Sequence, residues 1–581
     1  MAEDVHGRSP ARWARVVVLA WPLLLAVVLV WPLLSRPGHP LSRDLVFLPQ
    51  HPLTWSAAGL ADGSPRAVPL DTVLALLTSV VDGGWLARVL LPGILVLAAA
   101  GVMRLLPWSG TAGLLVAGGV AAWNPFVVER LALGQWALLT SYAALPWLVR
   151  ASTTATPADD TGRAPAPRTP PVVGWAALAS LTPTGGVLAL AVVAVQVVLR
   201  RAGSSVQLGA VLVLQLPWIV AGLVGSATTV SDPAGVSAFA PDSEGPFGVW
   251  VALLGLGGIW DSRSEPASRT TLLAPLTALV VVMVLLAAGR ELHRRVPGAG
   301  TWWTLGAGGL VLAMLAATEP GQALLRLVVA HVPAGGLLRD TQKFLLPTVL
   351  LVALAAGVAA DRVARSLRRR WADAPELRLV LLLPAVLAPV LLLPDGARPV
   401  WTTVEPVDLP ASFAEADRLT RGSDSVVVTL PWRSYRLFRW GNGTTSSDPA
   451  VRALHARVLV SDDLQVGSRV VRGEGALARR VGEVLEAGGA ARDLGGLGIG
   501  WVLVYPDDPD AATLDVGGLE QRYADEVLVL YRVPGAVTAT AVPRGDRVLL
   551  GGAYAGAAAV LVAAALAALG GAVRARPRRR R

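Results

Sequence analysis

The sequence predicts an all-α polytopic membrane protein of about 12 transmembrane helices, with a C-terminal extracytoplasmic α/β domain set before the last helix. Three observations predict it. Of 581 residues 53% are apolar and 16% charged, with a mean hydropathy of +0.55, too little charge for a chain that faces water throughout. Apolar stretches of roughly 17 to 23 residues recur, long enough to cross a hydrocarbon core of about 30 Å. From Pro394 to Asp546 the texture changes to regular charges, turns such as WGNGTT and PDDPD, and short β-rich runs.

Taken in order, the first apolar run (about Val16 to Leu34) follows Arg12 and Arg15 and lacks a small-x-small cleavage site, so it reads as a retained anchor starting in the cytoplasm. A long outer loop then carries RDLVFLPQHPLTW and PRAVPLD. Helix 2 (about Leu86 to Leu106) returns to Arg104, helix 3 (about Gly110 to Val127) leads out to NPFVVERLALGQW, and helix 4 (about Trp136 to Val149) ends at Arg150 before a loop with Arg163 and Arg168. Val172 to Leu199 has Arg beyond both ends and TPTGG in its middle, which reads as a hairpin of two short helices. Helix 7 (about Gln207 to Val224) exits into a loop with Asp232, Asp242 and Glu244, and VWVALLGLGGIW is too short and Gly-rich to span, so it is placed at the interface. Helices 8 to 11 follow at about Leu272 to Ala288, Trp302 to Ala317, Phe344 to Ala360 and Leu377 to Leu393, with Arg-rich inward ends such as RVARSLRRR.

The domains expected are therefore a transmembrane module with outer loops over 1–393, the outer α/β domain over 394–546, a last span over 547–573 and a basic cytoplasmic tail over 574–581. Both termini are expected in the cytoplasm of a plasma-membrane protein. The net charge of +10 follows this topology; no basic face with interleaved aromatics accompanies it, and nucleic acid is not an expected partner. Membrane lipid is. With no cysteine, disulfides, thiolate metal sites and Cys nucleophiles are excluded. His39, His51, His331 and His455 have no H-E-x-x-H or comparable spacing, so no metal ligands are assigned. No cofactor is required by the residues, and a divalent metal finds no support among them.

Chemistry-bearing residues stand out against this apolar background. Lys343 is the only lysine, in GGLLRDTQKF at the outer mouth of helix 10, and a following Phe344 rules out a P-loop. Arg339 and Lys343 there defy the positive-inside bias, and a helix start adds partly positive N–H groups, a combination suited to a phosphate. Asp340 pairing locally while the cations snorkel to the interface is the plainer alternative. Asp44, a few residues after the first anchor and flanked by LVFLP, is held near the membrane surface, where a carboxylate can take a proton from an acceptor hydroxyl; a cap or a partner for Arg43 is the alternative. Asp71 fits the N-cap of an amphipathic helix or the cavity wall. Glu129, Arg130 and Gln135, beyond Asn124 and Pro125, line the same cavity or, for the first two, form a local ion pair.

Taken together, RDLVFLPQHPLTW, WNPFVVERLALGQWALL and LLRDTQKF resemble an actinobacterial, arabinofuranosyl/mannosyltransferase-like branch of the GT-C integral-membrane glycosyltransferases. High Arg and Ala usage suits such a genome, and the likeness covers about the first 390 residues. It implies a polyprenyl-phosphate-linked sugar as donor, a cell-envelope polysaccharide as acceptor, and a catalytic acid in the first outer loop, which maps onto Asp44. The family's frequent paired acid is missing, because Arg43 precedes Asp44. A transferase using Asp44 as base and Arg339 with Lys343 on the leaving phosphate is the leading expectation. A lipid-linked glycan flippase or transporter, and a catalytically inactive envelope-assembly scaffold, are the alternatives.

Overall fold

The computed structural model describes residues 12–62, 67–153, 169–199, 204–225 and 230–574. Arg163, Arg168 and most of the expected basic tail lie outside the described residues.

Eight helices are long and apolar enough to cross a membrane: Gly83–Arg104, Thr111–Ala132, Ser204–Val224, Leu273–Arg295, Ala299–Ala316, Thr341–Arg370, Pro375–Leu392 and Arg544–Gly570. Val16–Leu29 and Pro183–Val198 are apolar but shorter. The protein is a multi-pass membrane protein, because its outermost helices bury their apolar surface only if lipid covers it. In the most apolar window of Thr341–Arg370, 89% of residues are buried inside the protein, against 6% for Pro375–Leu392. Leu379, Val380 and Leu383 of that outer helix stand exposed, a surface tolerable in hydrocarbon and not in water.

Local sequence explains the helix breaks. At Asn124 the side chain accepts a hydrogen bond from the Val127 N–H at 3.0 Å, and Pro125 takes the first helical position, where no N–H is needed. The 172–199 stretch divides at Ser180–Thr182, with Thr182 capping the Gly185 N–H at 3.2 Å. Thr169–Ala179 runs antiparallel to Trp136–Thr153, as Trp147 stacks on Trp175 at 5.1 Å and Ser141 donates to the Ala179 carbonyl at 2.7 Å. The second helix, Pro183–Val198, has Gly185 beside Ser141 in its first turn and its C-cap Leu199 near Gly300, so it turns back along the first. VWVALLGLGGIW forms only the six-residue helix Val249–Leu254. The structure adds an amphipathic helix at Glu319–His331, at 13 residues too short to read as a span.

Arg104, Arg150, Arg290 and Arg294 with the 362–370 arginines gather at one end of the bundle, where Arg295 lies 3.9 Å over Trp108 and Arg365 reaches Glu291 at 3.0 Å. A β-structure covers the other end. Its main sheet has the order β11-β12-β10-β4-β7, with β10 (Ile499–Val504) parallel to β4 (Val426–Leu430) and β4 parallel to β7 (Val458–Leu459). β12 (Val529–Arg532) is antiparallel to β10 and to β11 (Glu520–Ala524). Alternation along β4 sends Val427 to a core with Phe413 and Ala416, and Val426 and Val428 to one with Leu477 and Val481.

The sheet region is fused to the first loop rather than appended to the bundle. β1 (His39–Ser42) pairs with β2 (Leu45–Val46) and with β3 (Pro406–Val407), so residues on both sides of the bundle share one small sheet. Leu41, Val46 and Leu48 belong to the same buried core as Phe413, Val427 and Leu503.

Candidate active site

Between the bundle and the sheet region lies a cavity of about 1440 Å³, lined by Asp44, Asp71, Gln135, Asp340, Arg339 and Lys343 among others. Residues separated by three hundred positions therefore meet there. Thr182 to Thr184, at the tip of the short helical hairpin, form part of its wall.

Asp44 is exposed to the cavity. Its position follows from a turn between β1 and β2 in which Arg43 takes φ +54°. Arg43 turns away from its neighbour and contacts Asp261, with Ser264 Oγ accepting at 2.9 Å. Gly134, at φ +80°, lies under this turn: a Cβ there would meet the Leu45 nitrogen at 2.7 Å and the Asp44 nitrogen at 2.9 Å. Only glycine combines that dihedral with that approach. Asp44 itself accepts a hydrogen bond from the Tyr435 hydroxyl.

Opposite, Lys343 lies 3.6 Å from Asp340, with 27% of its side chain exposed. Arg339 lies 3.5 Å from Glu474 and packs on the Phe239 ring at 5.9 Å, and Phe239 meets Trp260 edge to face at 4.9 Å. Asp340 is held bidentately by Arg130 at 2.7 and 2.9 Å. Burial works against the charge on Asp340, but Arg130 and Lys343 outweigh it and keep the carboxyl below the usual carboxylate range.

Glu129 and Arg130, expected at the cavity wall or paired with each other, do neither. Both are fully buried behind the wall. Adjacent residues on a helix diverge by about 100°, so Arg130 reaches Asp340, Gln342 and Gln135 (2.5 Å), while Glu129 takes the Gln342 amide at 3.2 Å. Gln135 thus both lines the cavity and restrains Arg130. Behind them Glu244 pairs with Arg269 at 2.7 Å, both buried. Asp71 is not the cap of its helix, Leu70–Thr78, but its second residue; its carboxylate meets Arg452 at 3.3 Å at the cavity edge.

Tyr435, Arg452 and Asp261 were not foreseen. The first two sit in a polar stretch where nothing in the local pattern distinguishes them; the pairing of β5 (Tyr435–Leu437) with β6 (Thr445–Ser447) brings Tyr435 to the cavity, and Arg452 reaches it from the short helix Ala450–Ala453.

No protein-family model matches the chain, and no curated protein matches it in sequence. Solved structures do. The arabinofuranosyltransferase AftD from Mycobacteria aligns with 93% of this chain at a TM-score of 0.55 and 16% identity; the match takes in 40% of AftD. The fold is GT-C-like. A point mutant of AftD gives a TM-score of 0.53 at 17% identity, over 92% of this chain and 42% of that one. ArnT from Cupriavidus metallidurans bound to undecaprenyl phosphate aligns at a TM-score of 0.41 and 13% identity, over 92% of this chain and 100% of that one. The chain thus spans about two fifths of AftD's length, and the likeness is one of fold. The GT-C-like fold embraces the bundle, the first loop and the sheet region together.

The donor set does not fit a divalent cation. Asp44 engages Tyr435, Asp71 Arg452, Asp261 Arg43 and Asp340 Arg130. Among the described residues no three carboxylate or imidazole groups converge as ligands.

Proposed function

We propose that this chain is an inverting membrane glycosyltransferase that moves a sugar from a polyprenyl-phosphate donor to a cell-envelope glycan acceptor on the outer side of the plasma membrane, with both termini cytoplasmic. The observation that carries the reading is one cavity at the sheet-covered end of the bundle with an exposed carboxylate, Asp44, and two cations, Arg339 and Lys343, in its wall. AftD is an arabinofuranosyltransferase, which makes arabinofuranose the first sugar to test, with mannose second.

In this reading Asp44 accepts the proton of the acceptor hydroxyl as its oxygen attacks the anomeric carbon. The bond from that carbon to the phosphate oxygen breaks, and its electron pair leaves on polyprenyl phosphate. Lys343 and Arg339 stabilise the charge that grows on that oxygen, as preorganised cations do best in a site sheltered from bulk water. Phe239 and Trp260, beside Arg339, offer an apolar face to the sugar or to the first isoprene unit.

Purified protein given radiolabelled polyprenyl-phosphoryl arabinofuranose and a short glycan acceptor tests the reading. Asp44→Ala should reduce transfer to background while donor binding survives. Unimpaired transfer by that variant would reject the role of Asp44, and translocation of the lipid in proteoliposomes without bond formation would favour a transporter instead.

A further inference from the structure

The sheet region reaches into the cavity at one point of immediate chemical consequence. Strand β5 carries Tyr435 and Arg436 on opposite faces. Arg436 is anchored in the interior, donating to Asp448 at 3.0 Å and to Thr429 Oγ1 at 3.0 Å. Alternation along the strand then sends Tyr435 to the other face, toward the first loop. The register to that loop is fixed by the backbone: the Arg43 N–H donates to the Thr445 carbonyl at 2.7 Å, and the Ser447 N–H donates to the Arg43 carbonyl at 2.9 Å. Ser447 is also the residue paired with Tyr435 across β5 and β6. Ser42 adds a side-chain tie, accepting from the Asn442 amide at 2.8 Å. The phenol and the carboxylate of the adjoining Asp44 are thus brought together by strand pairing and not by a flexible tether.

We infer that Tyr435 is a positioning residue for Asp44, its hydroxyl occupying Oδ1 so that Oδ2 is presented to the incoming acceptor hydroxyl. The inference rests on the transferase reading above and deepens it, because it makes the sheet region a working part of the reaction centre. A carboxylate at the mouth of a wide cavity can rotate about its terminal bond, and a bond to one oxygen removes that freedom before substrate arrives. The other groups facing Asp44 are Arg452, which is engaged with Asp71, and Lys343 across the cavity, while Arg43 is directed to Asp261. Tyr435 is therefore the neutral donor to Asp44 beside the cations that face it.

The test compares Tyr435→Phe, Asp44→Asn and Ser42→Ala in the intact chain, using radiolabelled polyprenyl-phosphoryl arabinofuranose or mannose and measuring kcat and donor KM. Tyr435→Phe should lower kcat about tenfold and leave donor KM unchanged. Ser42→Ala, which loosens the loop without touching Asp44, should leave kcat within about twofold of the wild type. Loss of activity in Asp44→Asn together with a wild-type kcat in Tyr435→Phe would overturn the positioning role and spare the transferase reading. Full activity in Asp44→Asn would instead remove that reading and this inference with it. An equal loss of kcat in Tyr435→Phe and Ser42→Ala would reduce Tyr435 to a tether.

Discussion

At the scale of single residues, the buried cations of this protein are committed to partners whose loss should be felt. Arg130 has no exposed surface and satisfies Asp340, Gln342 and Gln135 at once. Arg130→Met should destabilise the protein by about 3 to 5 kcal/mol, since the buried Asp340 loses its bidentate partner and keeps only Lys343 at 3.6 Å. Arg130→Met with Asp340→Asn should recover part of that, and thermal unfolding in detergent would measure both. A second residue responds to pH. Burial first, and then Glu244, Asp242 and Asp261, raise the Glu265 carboxyl to about 7. A carboxyl raised on folding contributes its full stabilisation below the unfolded value of about 4.5 and loses it as pH climbs through about 7. The melting temperature should therefore fall between pH 5 and 8, and Glu265→Gln should flatten that fall. Asp44, Arg339 and Lys343 were readable from sequence because charge in an apolar, outward-facing context is costly enough to need a reason. Glu129 and Arg130 misled because adjacency in sequence suggests a pair, whereas the helix points the two in different directions. Tyr435 was unreadable, since a tyrosine among polar turns is unremarkable until strand pairing sets its neighbour.

At the scale of elements, hydropathy identified most long helices and punctuation identified their breaks. Asn124-Pro125 and Thr182-Pro183 both combine a capping side chain with a proline that needs no N–H, a signal that survives folding because it is local. Length was less readable. Of the spans expected, eight meet the requirement by length and composition among the described residues; the two halves of the 172–199 stretch fold as a short hairpin supported by neighbouring helices, which protein cover permits. The turn after Pro125–Ala132 joins element to function. Gly134 closes that helix and lies against the backbone of Asp44 and Leu45. Gly134→Ala adds a Cβ at φ +80° and within 3 Å of main-chain atoms, so the first loop must shift. A displacement of about 1 Å at a reacting group costs about a hundredfold. Transfer by Gly134→Ala should fall by about that factor, with far less change in melting temperature than Arg130→Met produces. Equal transfer in Gly134→Ala and wild type would mean that the loop carrying Asp44 is not held by this turn.

At the scale of the whole molecule, the reaction proposed depends on which side of the membrane the cavity opens. The arginine-rich end and the sheet-covered end lie at opposite ends of the bundle, and the positive-inside bias assigns the first to the cytoplasm. Because the chain has no cysteine, single introduced thiols report sidedness with no background. Ser468, exposed in the hairpin of β8 (Leu464–Val466) and β9 (Arg469–Val471), borders the cavity, and Ser366 is exposed among the arginines of Leu346–Arg370. With Ser468→Cys, a membrane-impermeant maleimide should label intact cells. With Ser366→Cys it should label only after permeabilisation. The reverse pattern would put the sheet and cavity in the cytosol, where a glycan acceptor of the cell envelope could not reach Asp44. Because the first loop and residues 406–407 share one sheet, no rearrangement short of unfolding that sheet would carry Asp44 to one side and Tyr435 to the other. A result at Ser468 therefore fixes the side of the whole reaction chamber.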